Sequence, residues 1–363
     1  MKIDISKNKK KIIVSKYNKS IEIHPLWLRE RVNSPEHLDK NNSQRLYDPS
    51  DLNREIKIKK ALIRNRLLNV QFTDGIKSDY QIQDIIDEIN KYSNDQNVFL
   101  WNSNIKSKPI FNYNPKMFSG KNGYKFLKSF YKYGFVIGKK TPVKKKFVTK
   151  FANLIGNIRA TNFGTLFNVK STSKASDLAY TSHHLFSHTD NPYRKPIPGI
   201  QLLHCIKNDS IGGYSTLTDG FAVAEFLRKK YPLYFKLLSS IKIRFVYQSG
   251  RTYLENWGET IEIDRTGFLK VIRLSPRLDY VPILKKKKLN QFFKARSFFI
   301  KLCNSKKFMI KFKLYPGDIL LMDNYRTLHG RTSYDINMGQ RHLQGCYIDH
   351  DSAESKMQYL KNK

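Results

Sequence analysis

Cysteine is scarce in this chain, acidic residues are outnumbered, and long apolar runs do not occur. The 363 residues include three cysteines, Cys205, Cys303 and Cys346, well apart and with no Cys-x-x-Cys pair among them. Neither a disulfide framework nor a thiolate metal site is indicated, and a reducing compartment fits. No window approaches the roughly 20 apolar residues of a membrane span, and the basic start MKIDISKNKKKIIVSKYNKS never reaches the apolar stretch of a signal peptide. The expectation is a soluble, cytoplasmic protein with no membrane partner.

Aspartate and glutamate number 30 against 66 lysines and arginines, for a formal charge of +36. Such an excess raises nucleic acid or an anionic surface as a partner. Much of it is lysine scattered along the chain, as at Lys144 to Lys146, Lys285 to Lys288 and Lys306 with Lys307. No zinc-finger spacing, arginine-rich arm or RNP-like aromatic strand accompanies it. No specific nucleic-acid binding is expected, while non-specific adhesion to polyanions stays open.

With 40% hydrophobic residues the chain can bury a full core and has room for a second, smaller domain. Residues 11 to 23 alternate like a strand, with further strand-like runs at 65 to 72 and 97 to 101 and a helix predicted from Ser78 to Tyr92. These define a small β-rich N-terminal domain over residues 1–105. Residues 106–123, polar and with Pro and Gly, read as a linker or a pocket lid. From 124 to 363, helices are predicted at 124–133, 146–155, 221–238 and 287–303. Between them lie many short β-prone runs, among them Ile200 to Ile206, Ile319 to Met322 and His342 to Ile348. Short strands with frequent turns indicate a mainly β fold with flanking helices, a jelly roll or barrel.

The most informative pattern is His188-Thr189-Asp190, followed far downstream by His329 in Leu-His-Gly-Arg. On a strand, residues i and i+2 point the same way, so His188 and Asp190 could reach one point and His329 could join from an opposing strand. Two imidazoles and one carboxylate can hold Fe(II) on one face of its octahedron and leave the other open. His-x-Asp alone occurs by chance, and His183, His184, His204, His342 and His350 leave a zinc site of other composition open by residue type. The consecutive His183 and His184 would diverge on a strand, and His204 reads as a hydrogen-bonded core histidine.

An ordered series of motifs goes further. Ala179-Tyr180-Thr181 precedes the His-Thr-Asp; after it come Pro198-Gly199-Ile200-Gln201-Leu202-Leu203-His204-Cys205, Gly212-Gly213-Tyr214-Ser215, Thr218-Asp219-Gly220-Phe221 and Pro316-Gly317-Asp318. The series ends with Asp323-Asn324-Tyr325-Arg326-Thr327-Leu328-His329-Gly330-Arg331 and Arg341-His342-Leu343-Gln344-Gly345-Cys346-Tyr347. In these motifs the sequence resembles the Fe(II)- and 2-oxoglutarate-dependent dioxygenases of the taurine dioxygenase superfamily, within them the gamma-butyrobetaine and trimethyllysine hydroxylase branch. Trp27-Leu28-Arg29 resembles the N-terminal domain of that branch.

The resemblance implies a double-stranded β-helix catalytic domain in which His188, Asp190 and His329 are the iron ligands and the catalytic centre. It implies that Arg341 and Ser215 bind the distal carboxylate of the co-substrate 2-oxoglutarate, with dioxygen as the second co-substrate. Phe163, Phe167 and Tyr180 fall where aromatic rings of the branch enclose a trimethylammonium head by cation-π attraction. Asn191, Asp177 and Arg277 complete the expected substrate-binding set. Relatives of this kind are often dimers, so a homodimer is an expectation carried over with the resemblance.

Two departures stand out. Residues Arg31 to His37 hold no cysteine where animal members of the branch bind zinc, so no structural zinc is expected. Asp177 stands where the branch has an asparagine, and the run Arg273 to Tyr280 is rich in arginine, which suits a carboxylate or a doubly charged phosphonate. The implied activity is hydroxylation of a small trimethylammonium zwitterion, gamma-butyrobetaine to carnitine first and trimethylaminoethylphosphonate second. A reading of another class, a non-catalytic basic β module binding RNA or another polyanion, is the contrast.

Overall fold

The computed structural model describes residues 2–16, 19–92, 98–170, 181–361 and 363. The chain divides into two compact units, Met1–Gln96 and Asn97–Lys363. In the first, strands Lys2–Ile5, Ile12–Lys16 and Lys19–Glu22 form one antiparallel sheet, and strands Ile58–Arg64, Leu67–Phe72 and Lys77–Gln81 form another. Alternation over 11–23 is thus divided between two paired strands, because period-2 patterning reports which face a residue takes and not whether the strand is continuous. The helix expected from Ser78 begins only at Ile82: Ser78 and Tyr80 are the inward residues of a strand, and Tyr80 donates to the Leu28 carbonyl at 2.8 Å. Ile12, Leu28, Leu68 and Phe72 form the centre of this unit's core.

The second unit is built on two sheets. The larger runs in the order 167–169, 341–348, 200–208, 319–323, 135–139 and 110–112, with 158–159 also paired to 341–348. The smaller runs 185–188, 327–331, 215–219 and 309–312. Strand Ile319–Asp323 shows why its sequence is apolar throughout. Ile319 and Leu321 face a helical layer with Phe126, Phe130, Val148 and Phe151, while Leu320 and Met322 face Leu217 and Ile310 of the smaller sheet. A strand covered on both faces reads as a continuous hydrophobic run. Helices Gly220–Lys230, Pro232–Leu238 and Lys286–Cys303 form a third core with Leu328. The single helix expected over 221–238 is two, divided where Pro232 starts the second.

Two further expectations change. No strand forms among residues 98–101; Trp101 instead enters the core of the second unit, its indole donating to the Tyr133 carbonyl at 2.6 Å. Residues 106–123, expected as a linker or lid, contain strand Ile110–Asn112, which pairs parallel to Phe135–Lys139, and they bury Met117 and Phe118. Their polar composition belongs to the solvent face of a segment that still sends Met117 and Phe118 inside, while Ile110 stays exposed. No helix among the described residues is long and apolar enough to cross a membrane.

The junctions of the smaller sheet are tied by a buried ion pair. Arg326 donates through Nε and Nη2 to the two carboxylate oxygens of Asp219, at 3.0 and 2.7 Å, and both side chains are essentially inaccessible. Asp219 also accepts from the Trp101 and Phe221 backbone N–H groups, and Arg326 donates to the Lys132 and Phe99 carbonyls. Removing one partner leaves an uncompensated buried charge. Asp219→Ala is therefore expected to destabilise the protein by about 3–5 kcal/mol, read as a lowered urea midpoint. A midpoint matching the parent protein would contradict this account of the hub.

Candidate metal centre and its cavity

Strand Leu185–His188 pairs antiparallel with Thr327–Arg331 so that His188 stands opposite His329, with ring centroids 4.4 Å apart. Directly opposed residues share a face, which brings both imidazoles to one side of the sheet. Asp190 does not share this strand, as the His-x-Asp spacing had suggested: the strand ends at His188. Beyond it the chain is redirected by hydrogen bonds, Thr189 N–H to the Leu274 carbonyl at 2.8 Å and Leu274 N–H to Thr189 Oγ1 at 3.0 Å. Asn324, in the turn that leads to His329, then clamps Asp190. Its Oδ1 accepts from the Asp190 N–H at 2.7 Å, and its Nδ2 donates to the Asp190 carbonyl at 2.9 Å.

The Asp190 carboxylate is divided between two tasks. Oδ2 accepts from Gln201 Nε2 and from Tyr347 Oη, the latter at 2.6 Å. Oδ1 faces the imidazoles, 3.5 Å from His188 Nε2 and 3.7 Å from His329 Nε2. His188 Nδ1 lies 2.8 Å from the Phe186 carbonyl, which makes it the protonated nitrogen and leaves Nε2 with its lone pair. One donor atom from each of the three residues lies within 4.8 Å of the others, a grouping suited to a divalent cation. Burial works to raise the Asp190 pKa, but His329, His188 and the Tyr347 hydroxyl outweigh it and hold the carboxyl well below the usual range. Burial lowers His329 to about 4. An ionised carboxylate beside a neutral imidazole is the protonation state that a metal requires.

The same cavity is lined by Arg341, 6% exposed, on strand Arg341–Ile348. Its Nε donates to the Gly213 carbonyl at 3.2 Å, while Nη1 is buried without a partner in the protein. Gly213 has φ +62°, and a Cβ there would meet Arg341 Cδ at 3.0 Å, so glycine serves both the turn and the packing of the arginine. Burial and the neighbouring Arg331 pull the Arg341 pKa down to about 10, still charged at neutral pH. A buried guanidinium with a vacant donor calls for an anion, and its planar fork suits a carboxylate. Ser215 lines the cavity with it.

Phe163, Phe167, Asn191 and Arg277 line the cavity too. The Phe167 ring lies 5.2 Å from that of Tyr347, and a Cβ at Gly345 would strike it at 2.5 Å, so the strand yields room for the ring. Phe163 sits edge-on to Tyr247 at 5.8 Å, and Tyr247 stacks on Tyr193 at 5.0 Å. Asp177 and Tyr180 lie outside the described residues. His204 is fully buried and bonds Thr141 at 2.9 Å, and His342 bonds Asn168; neither joins the triad. Sequence reasoning gave no role to Gln201, Tyr347, Asn324, Tyr193 or Arg331. The signal for Gln201 was available, a polar residue inside the apolar run Ile200 to Leu203.

Comparison with known proteins agrees with the geometry. Residues 107–347 match the family model described as Taurine catabolism dioxygenase TauD, TfdA family. The chain belongs to this family. It is 35% identical over 220 residues to a gamma-butyrobetaine dioxygenase of Pseudomonas sp. (strain AK-1), covering 61% of this chain and 57% of that relative's length. It is 32% identical over 271 residues to the Homo sapiens gamma-butyrobetaine dioxygenase, covering 72% of this chain and 69% of that one. The Homo sapiens mitochondrial trimethyllysine dioxygenase is 29% identical over 355 residues, covering 90% and 80%. The PvcB protein of Pseudomonas aeruginosa has a similar fold, with a TM-score of 0.51 at 17% identity over 71% of this chain and 93% of that one. So does the non-heme iron oxygenase OrfP, solved with Fe and alpha-ketoglutaric acid, with a TM-score of 0.52 at 14% identity over 67% and 94%. Family membership sets aside the reading as a basic binding module.

Because the Tyr347 hydroxyl orients Asp190, Tyr347→Phe keeps the ring packed on Phe167 and removes one donor to Oδ2. Fe(II) affinity, measured anaerobically by calorimetry, is expected to fall about tenfold or more, the usual range for such supporting bonds being 10–100-fold. Unchanged affinity would contradict the orienting role.

Proposed function

We propose that this family member is an Fe(II)- and 2-oxoglutarate-dependent dioxygenase that hydroxylates a small trimethylammonium zwitterion, with gamma-butyrobetaine to carnitine as the first candidate. The observation that carries this reading is a single cavity lined both by three side chains of metal-ligand type and by Arg341, whose buried Nη1 has no partner in the protein. His188, Asp190 and His329 would hold Fe(II): two imidazole nitrogens and one carboxylate oxygen are the donor set that non-haem iron takes while keeping positions open. Fe(II), with 2-oxoglutarate and dioxygen bound, supplies the oxidation that turns a C–H bond into C–OH while the co-substrate leaves as succinate and carbon dioxide.

The protein supplies position and dryness. Arg341 and Ser215 would hold the far carboxylate of 2-oxoglutarate, a charge-assisted bond that is strong because the site is buried. Phe163 and Phe167 line the cavity, and with Tyr180 they would take the cationic head on their rings, an attraction of roughly 2 kcal/mol or more once desolvated. Holding the cation at one end and the acid at the other fixes which carbon meets the oxidant. The names of the relatives support the trimethylammonium class. Arg277, in the cavity wall, keeps a phosphonate as the second candidate for the acidic end. The cytoplasm is the compartment we assign, on three cysteines that are buried and unpaired.

Aerobic succinate release should be stimulated by gamma-butyrobetaine and should disappear in His188→Ala, with the thermal melt of the variant retained. Stimulated turnover that survives in His188→Ala would overturn the ligand assignment.

A further inference from the structure

Two loops meet at one end of the smaller sheet, Asp209 to Tyr214 before strand Ser215–Asp219 and Thr332 to Gln340 after strand Thr327–Arg331. Backbone bonds hold them side by side. Thr332 N–H donates to the Tyr214 carbonyl at 2.9 Å, Asp335 N–H to the Ile211 carbonyl at 3.3 Å, and Ile211 N–H to the Met338 carbonyl at 3.3 Å. Gly339 has φ +117°, and a Cβ there would meet the Asp209 carbonyl oxygen at 2.7 Å, so the close approach of the loops depends on glycine. The pairing gathers three aliphatic side chains that remain outside every core: Ile211, 62% exposed, Ile336, 58%, and Met338, 53%. A contiguous exposed apolar group with a polar rim marks a contact surface.

The rim is basic. Lys311 Nζ lies 4.4 Å from the centroid of the Tyr214 ring, and Lys313 Nζ donates to the Ser210 carbonyl at 2.7 Å. Lys207, exposed, stands on the strand that leads into the first loop, 3.4 Å from Asp209. The loops also carry two acids, and both are engaged by the backbone: Asp209 accepts from the Gln340 N–H and Asp335 from the Asn337 N–H. Three lysines thus outnumber two occupied carboxylates, on a chain whose formal charge is +36.

This combination selects among partners. A second copy docked face to face would set lysine rim against lysine rim. A nucleic acid is held by stacking on flat rings and by cations, and isoleucine and methionine offer neither. An anionic lipid surface uses both features, since aliphatic tips enter the headgroup and acyl boundary while lysines reach the phosphates. We propose that the paired loops form a peripheral membrane contact that buries Ile211, Ile336 and Met338 in one leaflet of an anionic bilayer, with Lys207, Lys311 and Lys313 on its headgroups. Such a contact needs no spanning helix, and the cytoplasmic leaflet of a membrane is the anionic one, in keeping with the compartment assigned above.

The full chain is sedimented with vesicles of phosphatidylcholine alone and of equal parts phosphatidylcholine and phosphatidylglycerol, at about 0.1 M salt. The wild type should sediment with the anionic vesicles and stay behind with the neutral ones. Partition onto the anionic vesicles should fall at least about tenfold in Ile336→Ser/Met338→Ser, through lost apolar burial, and comparably in Lys207→Gln/Lys311→Gln, through lost headgroup attraction. Thermal melts of the variants show whether the loops survive. Ile336→Trp reads insertion without deleting the patch: its emission should shift to the blue with anionic vesicles and be quenched by brominated acyl chains. Anionic binding that the serine pair leaves unchanged, with the tryptophan unshifted, means adhesion by charge alone and overturns the contact. A wild type that ignores the vesicles also overturns it, whether it then retains a single-stranded RNA oligomer, sediments as a dimer or does neither.

Discussion

A carboxylate has two oxygens, and in this protein one of them is spoken for. Gln201 and Tyr347 both donate to Asp190 Oδ2, so Oδ1 is what remains to face His188 and His329. Asp190 needs this restraint because it stands past the end of its strand, where no sheet ladder fixes it. The two imidazoles are positioned by strand register; the carboxylate is positioned by side chains drawn from three other places in the fold. Gln201 and Tyr347 are themselves cross-strand partners in the larger sheet. The smaller sheet supplies the histidines, the larger one aims the acid, and the cavity lies where the two meet.

The turn between strands Ile319–Asp323 and Thr327–Arg331 connects this centre to the rest of the unit. Asn324 grips the Asp190 backbone from it, and Arg326 anchors it through the buried pair with Asp219. His350 braces its other side. Its ring stacks on Tyr325 with centroids 5.2 Å apart and lies 3.4 Å from Asp323 Oδ2. Burial works against the charged form, yet Asp323 and Glu354 prevail and push the His350 pKa up to about 10, so the imidazolium holds the last helix against the turn at neutral pH. Gly199 leaves room for this approach, since a Cβ there would meet the His350 backbone nitrogen at 2.6 Å. A turn anchored from so many sides is stiff, and ligand geometry depends on stiffness in the groups behind the ligands.

Legibility in the sequence followed physical range. The β-rich catalytic unit with its flanking helices could be read because apolar runs and turn residues are local signals. The convergence of His188, Asp190 and His329 could be anticipated from residue type and motif order, although the reason first offered, a shared strand, was not how the chain achieves it. The hydrogen bonds from Thr189 to Leu274 and from Asp190 to Asn324 span 85 and 134 residues. No local pattern announces a bond of that length. For the same reason residues 106–123 read as a linker: their apolar side chains are few and irregularly spaced, and the burial of Met117 and Phe118 is decided by helices that follow. Tyr347 and Gln201 were visible in the motifs, but their shared task appears only when the two strands are side by side.

The central claim is that one cation sits between His188 Nε2, His329 Nε2 and Asp190 Oδ1, with Oδ2 turned away to Gln201 and Tyr347. It is tested most directly by crystals grown with Fe(II) under anaerobic conditions and measured at the iron absorption edge. The account predicts one anomalous peak bonded to those three atoms. A peak elsewhere, or iron bound through Oδ2 with the Tyr347 contact broken, would contradict it.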